Sequence, residues 1–116
     1  MTCQAAVELL IGHRSWLVRD DFLGYVESFS GFRGESMASI DWPAVWVALE
    51  EGCLACSGGE RQVLRVAVSL AEGVPVDLRD VVSGLDAVNS VWVARAVLAA
   101  GGHREAAAAV AGLMTR

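Results

Sequence analysis

The sequence predicts an all-α fold, a compact irregular or orthogonal bundle of about six short helices. Three observations carry that expectation. Apolar residues recur at helical spacing, Asp or Ser stands where helices would start, and Gly stands where they would stop. At 116 residues the chain is the size of one domain, read as 1–116, with no linker or internal repeat.

A first helix is expected from Thr2 to about Gly12, with Val7, Leu10 and Ile11 facing inward. A second is expected from Ser15 or Leu17 to Phe29, burying Val18, Phe22, Val26 and Phe29. The stretch Ser30 to Ser39 carries two glycines and several serines and reads as a loop. Asp41 then caps a helix with Pro43 in its first turn, where a missing N–H costs nothing. Trp42, Val45, Trp46 and Leu49 form its amphipathic face, and Gly52 or a neighbour ends it.

Ser57-Gly58-Gly59-Glu60 is the clearest start. A Ser followed three residues later by Glu forms a capping box, each side chain satisfying the other's backbone N–H. That helix carries Val63, Leu64, Ala67, Val68 and Ala71 to a stop at Gly73, with Pro75 beyond. Asp77 and Asp80 open a short helix with Leu78, Val81, Val82 and Leu85 on its apolar face. Asp86 caps Ala87 to Ala100, with Val88, Val91, Trp92 and Leu98 available for burial. Gly101-Gly102 ends it. A last, alanine-rich helix runs from about Arg104 to Met114, with Val110, Leu113 and Met114 apolar. No convincing two-residue alternation announces a strand.

Composition limits the function classes. The set AVILMFWYC makes up 54% of residues. Counting glycine and leaving out Tyr25, about 64% are apolar, against roughly 45–50% in ordinary soluble domains. A small domain has little interior, so some of this surface is expected to need a partner. Net charge is −5 and every basic side chain is arginine, a bias of the kind seen in GC-rich bacterial or phage coding. An acidic chain with scattered arginines is ill suited to a phosphate backbone. No apolar run is long enough for a membrane span, and no signal-peptide pattern opens the chain. Three cysteines, an odd number, argue against a disulfide framework and for a cytoplasmic setting.

Several motifs compete for a role. Cys53-Leu-Ala-Cys56 has the spacing of a redox pair or half a zinc site. No second CxxC or histidine pair completes it, so Cys53 and Cys56 are weak metal candidates and no cofactor is expected. His13, Arg14, Ser15, Arg19, Asp20 and Asp21 form the densest polar cluster, without a nucleophile elbow or oxyanion loop, and no enzyme is expected. Residues 78–84 and 87–100, joined by Gly84-Leu85-Asp86, have the outline of a helix-turn-helix. Arg79, Asn89 and Arg95 would be its DNA contacts, while Asp86 would repel phosphate.

Cys56 to Gln62 (CSGGERQ) resembles the signature motif of ABC-type ATPases, and Ser83 to Asp86 (SGLD) is similar to that family's D-loop. The resemblance implies a serine and glycines holding the γ-phosphate of ATP bound to an opposite subunit. It covers about 30 residues. The lysine-free chain has no Walker A motif, Val74 to Val81 is no apolar strand ending in Asp-Glu, and the capping box accounts for Ser57 to Glu60 in full.

The four tryptophans, Trp16, Trp42, Trp46 and Trp92, are either core residues or anchors of an interface, where tryptophan is enriched. The apolar excess favours a non-catalytic interaction or assembly module. It would be a homo-oligomer, or a small subunit docking on a protein partner through a tryptophan-bearing face. The alternative is an acidic helix-turn-helix regulator.

Overall fold

A computed structural model describes residues 2–31, 33–34 and 36–115. The side chains of Phe29, Ser36, Met37, Met114 and Thr115 lie outside the description, and with them the expected burial of Phe29 and Met114. Phe32 and Glu35 of the expected loop also lie outside it.

The chain is mostly α-helical. In order it forms α1 (Thr2–His13), α2 (Asp20–Leu23), β1 (Val26–Ser30), β2 (Ser36–Ile40), α3 (Trp42–Glu50), α4 (Gly58–Glu72), α5 (Leu78–Ser83), α6 (Ala87–Ala100) and α7 (Arg104–Ala111). A 3₁₀ turn, Gly112–Thr115, follows α7, where a single helix to Met114 was expected. The centre is α4, against which α1, α3, α5 and α6 all pack, while α6 also carries α1 and α7.

The start and stop signals operate as local chemistry demands. Asp41, Ser57, Asp77 and Asp86 each accept a hydrogen bond from the backbone N–H three residues on. The capping box closes from both sides: Ser57 Oγ accepts from the Glu60 N–H at 3.2 Å, and Glu60 Oε1 from the Ser57 N–H at 3.0 Å. Gly52 (φ 74°) and Gly102 (φ 87°) take left-handed turns after α3 and α6. There Cys53 N–H donates to Ala48 O and His103 N–H to Leu98 O, at 2.9 Å each, a Schellman closure.

The stretch read as a second helix and a loop is different. Arg14 turns left-handed (φ 70°) at the end of α1. Turns then lead to a helix of four residues, Asp20–Leu23, and the chain enters an antiparallel hairpin. Val26 faces Ile40, Ser28 faces Ala38 and Ser30 faces Ser36. Aromatic packing explains the break. Trp16 and Phe22 are both fully buried, with ring centroids 5.7 Å apart, and Tyr25 lies 6.4 Å from Phe22. A continuous helix from 15 to 29 would put Trp16 and Phe22 six residues, or about 600° of helical rotation, apart, on faces well separated around the axis. Bending the chain lets both enter one core and leaves Val18 75% exposed.

The inner face of α1 is also rotated from expectation. Ala5, Ala6, Leu9 and Leu10 are buried, whereas Val7 is 36% and Ile11 56% exposed. A helix apolar around most of its circumference carries little phase information, so contact with α4 and α6 sets its rotation. Small side chains won because they allow close approach: Ala5, Ala99 and Ala107 form a second small core where α1, α6 and α7 meet. On α5 the single buried residue is Val81. Leu78 and Val82 point outward, as does Val88 on α6.

Candidate functional site

The sequence clusters around 13–21 and 53–60 are distant in the chain and adjacent in space. Arg19 joins them. Its guanidinium grips Asp21 through both carboxylate oxygens at 2.9 and 2.5 Å, and donates to Ala55 O in the CxxC loop at 2.6 Å. It also lies 4.6 Å over the Trp16 ring, a cation–π contact. The Trp16 indole N–H donates to Glu60 O in the first turn of α4 at 3.0 Å. This junction holds the 14–24 segment against the start of α4.

Its electrostatics are those of a fastening. The Asp21 hydrogen bonds push Arg19 above its ordinary value, and Arg19 in turn holds the Asp21 carboxyl low. The Glu60 carboxyl is also held low, chiefly by the Ser57 N–H. Burial, then the Glu60 charge, pushes the Cys56 thiol up, so its reactive thiolate form is disfavoured. Cys53 is exposed, Cys56 is half-buried, and both are free thiols. Among the described residues no group of three His, Cys, Asp or Glu side chains is arranged to hold a metal ion.

The two segments that resemble ATPase motifs do meet. A Cβ on Gly59 would come within 2.9 Å of Asn89 Nδ2, and one on Gly84 within 2.8 Å of Gln62 Cγ. Both glycines make room for close packing of α4 against the α5–α6 connection. The Glu60 carboxylate is engaged in the capping box at the α4 N-terminus, accepting from the Ser57 N–H.

The proposed DNA contacts are dispersed. Arg79 is exposed on α5, Asn89 is wedged against Gly59, and the Arg95 guanidinium lies 5.5 Å over the Trp92 ring. α5 packs on α4, with little contact to α6, unlike the paired helices of a helix-turn-helix.

The tryptophans divide. Trp16 (0% exposed) and Trp42 (5%) belong to the chain's own core, whereas Trp46 and Trp92 are half-buried. Trp92 lies across Gly12 of α1, and Val88, 59% exposed, stands one turn before it on α6. Val7 with Ile11 and Leu78 with Val82 form outward pairs one turn apart. An open groove of about 390 Å³ runs along α3, lined by Tyr25, Pro43, Ala44, Val47, Ala48, Glu51 and Cys53. Between α1 and α6 the crevice beside Trp92 holds only about 10 Å³, room for roughly one water.

Sequence reasoning passed over Arg19 as a bridge, the α3 groove and the hairpin. For the hairpin a signal existed: two five-residue runs flanking a short segment with two glycines. Compared with family models, with characterised proteins and with solved structures, the chain matches none.

Proposed function

We propose that this chain is a non-catalytic interaction or assembly module, acting as a homo-oligomer or as a small subunit docked on another protein. One observation carries the reading. Among the described residues, ten large aliphatic side chains from α1 to the C-terminal turn are between 36% and 75% exposed, including the outward pairs Val7/Ile11 and Leu78/Val82. Single exposed aliphatics need no explanation, whereas two on one helix face a turn apart set adjoining apolar surface in water. In the densest polar cluster Arg19 and Asp21 are engaged with each other, and Arg19 ties the segment to the CxxC loop. A half-buried tryptophan beside an exposed valine, Trp92 with Val88, offers the type of anchor on which interfaces concentrate energy.

The test is sedimentation equilibrium of the full chain from micromolar to submillimolar concentration. The expected result is mass above monomer, reduced when Leu78 and Val82 are both replaced by Lys or when Val88 is. A monomer at every concentration that also leaves an apolar fluorescent probe unbound would sink the reading.

A further inference from the structure

Three thiols are free, and the fold separates one from the other two. Cys3 Sγ donates to Ala71 O at 3.5 Å, beside the last turn of α4. Cys53 and Cys56 lie in the connection that leads into its first turn. α4 is 15 residues long, so roughly 20 Å of helix stands between the two places.

The Cys53–Cys56 pair is asymmetric in the way thiol–disulfide chemistry uses. Cys53 is exposed, on the open groove along α3. Cys56 is half-buried and packs against the main core, and burial, then the Glu60 charge, pushes its thiol up. The outer thiol meets a dissolved reagent first. The inner thiol is sheltered from that reagent but stands three residues from its neighbour.

The four residues are held open, and from outside. Among the described residues no backbone hydrogen bond links Cys53 to Cys56. Cys53 N–H donates to Ala48 O at 2.9 Å, the Leu54 side chain is buried, and Arg19 donates to Ala55 O at 2.6 Å. A disulfide demands Cα atoms roughly 4.4–6.8 Å apart, and four residues reach that span as a tight turn. The Cys53 N–H precedes such a turn, and Leu54 is anchored by its side chain. The Ala55 carbonyl is backbone inside the turn, so closure re-aims the group that Arg19 holds.

We propose that Cys53 and Cys56 form a reversible disulfide that acts as a redox switch on the Arg19 fastening. The oxidant is a low-molecular-weight disulfide. The Cys53 thiolate attacks one of its sulfurs, giving a mixed disulfide and expelling one small thiolate. Cys56, deprotonated, attacks the Cys53 sulfur, and the second small thiolate leaves. The two cysteines give up two electrons and two protons, and the small disulfide departs as two thiols. Closing the turn draws Ala55 O away from Arg19. The 14–24 segment keeps the Trp16 bond to Glu60 but loses its tie to the loop. Reduction restores it. Linkage supplies a sign: Arg19 binds the open dithiol form and therefore favours reduction.

The test uses the full chain with Cys3→Ser, equilibrated in glutathione redox buffers, quenched with acid, alkylated and weighed. Cys53 and Cys56 should become blocked together, with no glutathione retained. In the same background Cys56→Ser should trap one glutathione on Cys53, and Cys53→Ser should take up little. Arg19→Gln, with helical circular dichroism retained, should reach half-oxidation in a buffer several-fold more reducing. Amide exchange at Arg19 and Leu23, whose N–H groups bond within the 14–24 segment, should quicken when the Cys3→Ser chain is oxidised, a readout that needs no change at position 19. Cys53 and Cys56 thiols that stay open to alkylation in the most oxidising buffer overturn the proposal, as does a mixed disulfide that persists with Cys56 present. A disulfide that forms at the same midpoint with and without Arg19, and leaves exchange at Arg19 and Leu23 unchanged, overturns the switch.

Discussion

At Gly12 a single added methyl group would stand 2.5 Å from the Trp92 ring. Glycine there reads in sequence as a helix stop, yet the helix continues through it to His13. The residue that does turn left-handed is Arg14, an arrangement costing roughly 1–2 kcal/mol for a side chain with a Cβ. Two opposite outcomes follow. Gly12→Ala should destabilise the fold by about 1–3 kcal/mol through overpacking. Arg14→Gly should be neutral to stabilising, by up to about 1 kcal/mol, because relief of strain is partly offset by a freer unfolded chain. Urea unfolding of both variants checks them. The thiols also separate at this scale. At neutral pH an alkylating reagent should modify exposed Cys53 well before Cys56, whose thiol is pushed up by burial and by Glu60. Peptide mapping reads the order, and equal rates would contradict the burial argument.

The element scale is where sequence was most legible. Each Asp or Ser start was readable because a cap is a contact within three residues and needs nothing from the rest of the molecule. The start of α4 is the test case. Ser57→Ala should cost about 0.5–2 kcal/mol. Glu60 adds a pH dependence whose sign is set by its depressed carboxyl. The charged form is favoured in the folded chain, so its contribution is complete above the ordinary value of 4.5 and is lost as pH falls through the lower folded value. Glu60→Gln keeps an acceptor for the Ser57 N–H but removes the charge. Its urea midpoint should therefore fall less steeply below pH 4.5 than that of the parent chain. The hairpin was hidden for the converse reason. Val26, Phe22 and Val18 fit a helical template as well as a broken one, and the choice rests on burying Trp16 and Phe22 together, contacts absent from any local window.

For the whole molecule, the radius of gyration is 14.2 Å and the principal extents are 38 × 35 × 25 Å. A close-packed chain of this length would have a radius of about 13 Å. The difference agrees with a hairpin that projects from the helical body. Apolar composition announced more greasy surface than the body hides, but not its place. Val7 and Ile11 were expected inside and lie outside, while Ala5 and Ala6 took the core positions. Extra aliphatic surface of this kind should show as concentration-dependent mass. The Leu78→Lys, Val82→Lys double variant should lower that mass with little change in unfolding midpoint, since both side chains are mostly exposed.

Sequence by itself determined the helical class, the caps of α3 to α6, the central amphipathic α4 and the surplus of apolar side chains. Each of these depends on residues within a turn or two of one another, or on composition alone. Tertiary structure alone decided which face of α1 is buried, where the chain bends between Arg14 and Val26, and which tryptophans are sealed. It also brought Arg19 to the CxxC loop. Those outcomes depend on which distant surfaces fit at close range, and close packing is a property of pairs that one-dimensional spacing does not record.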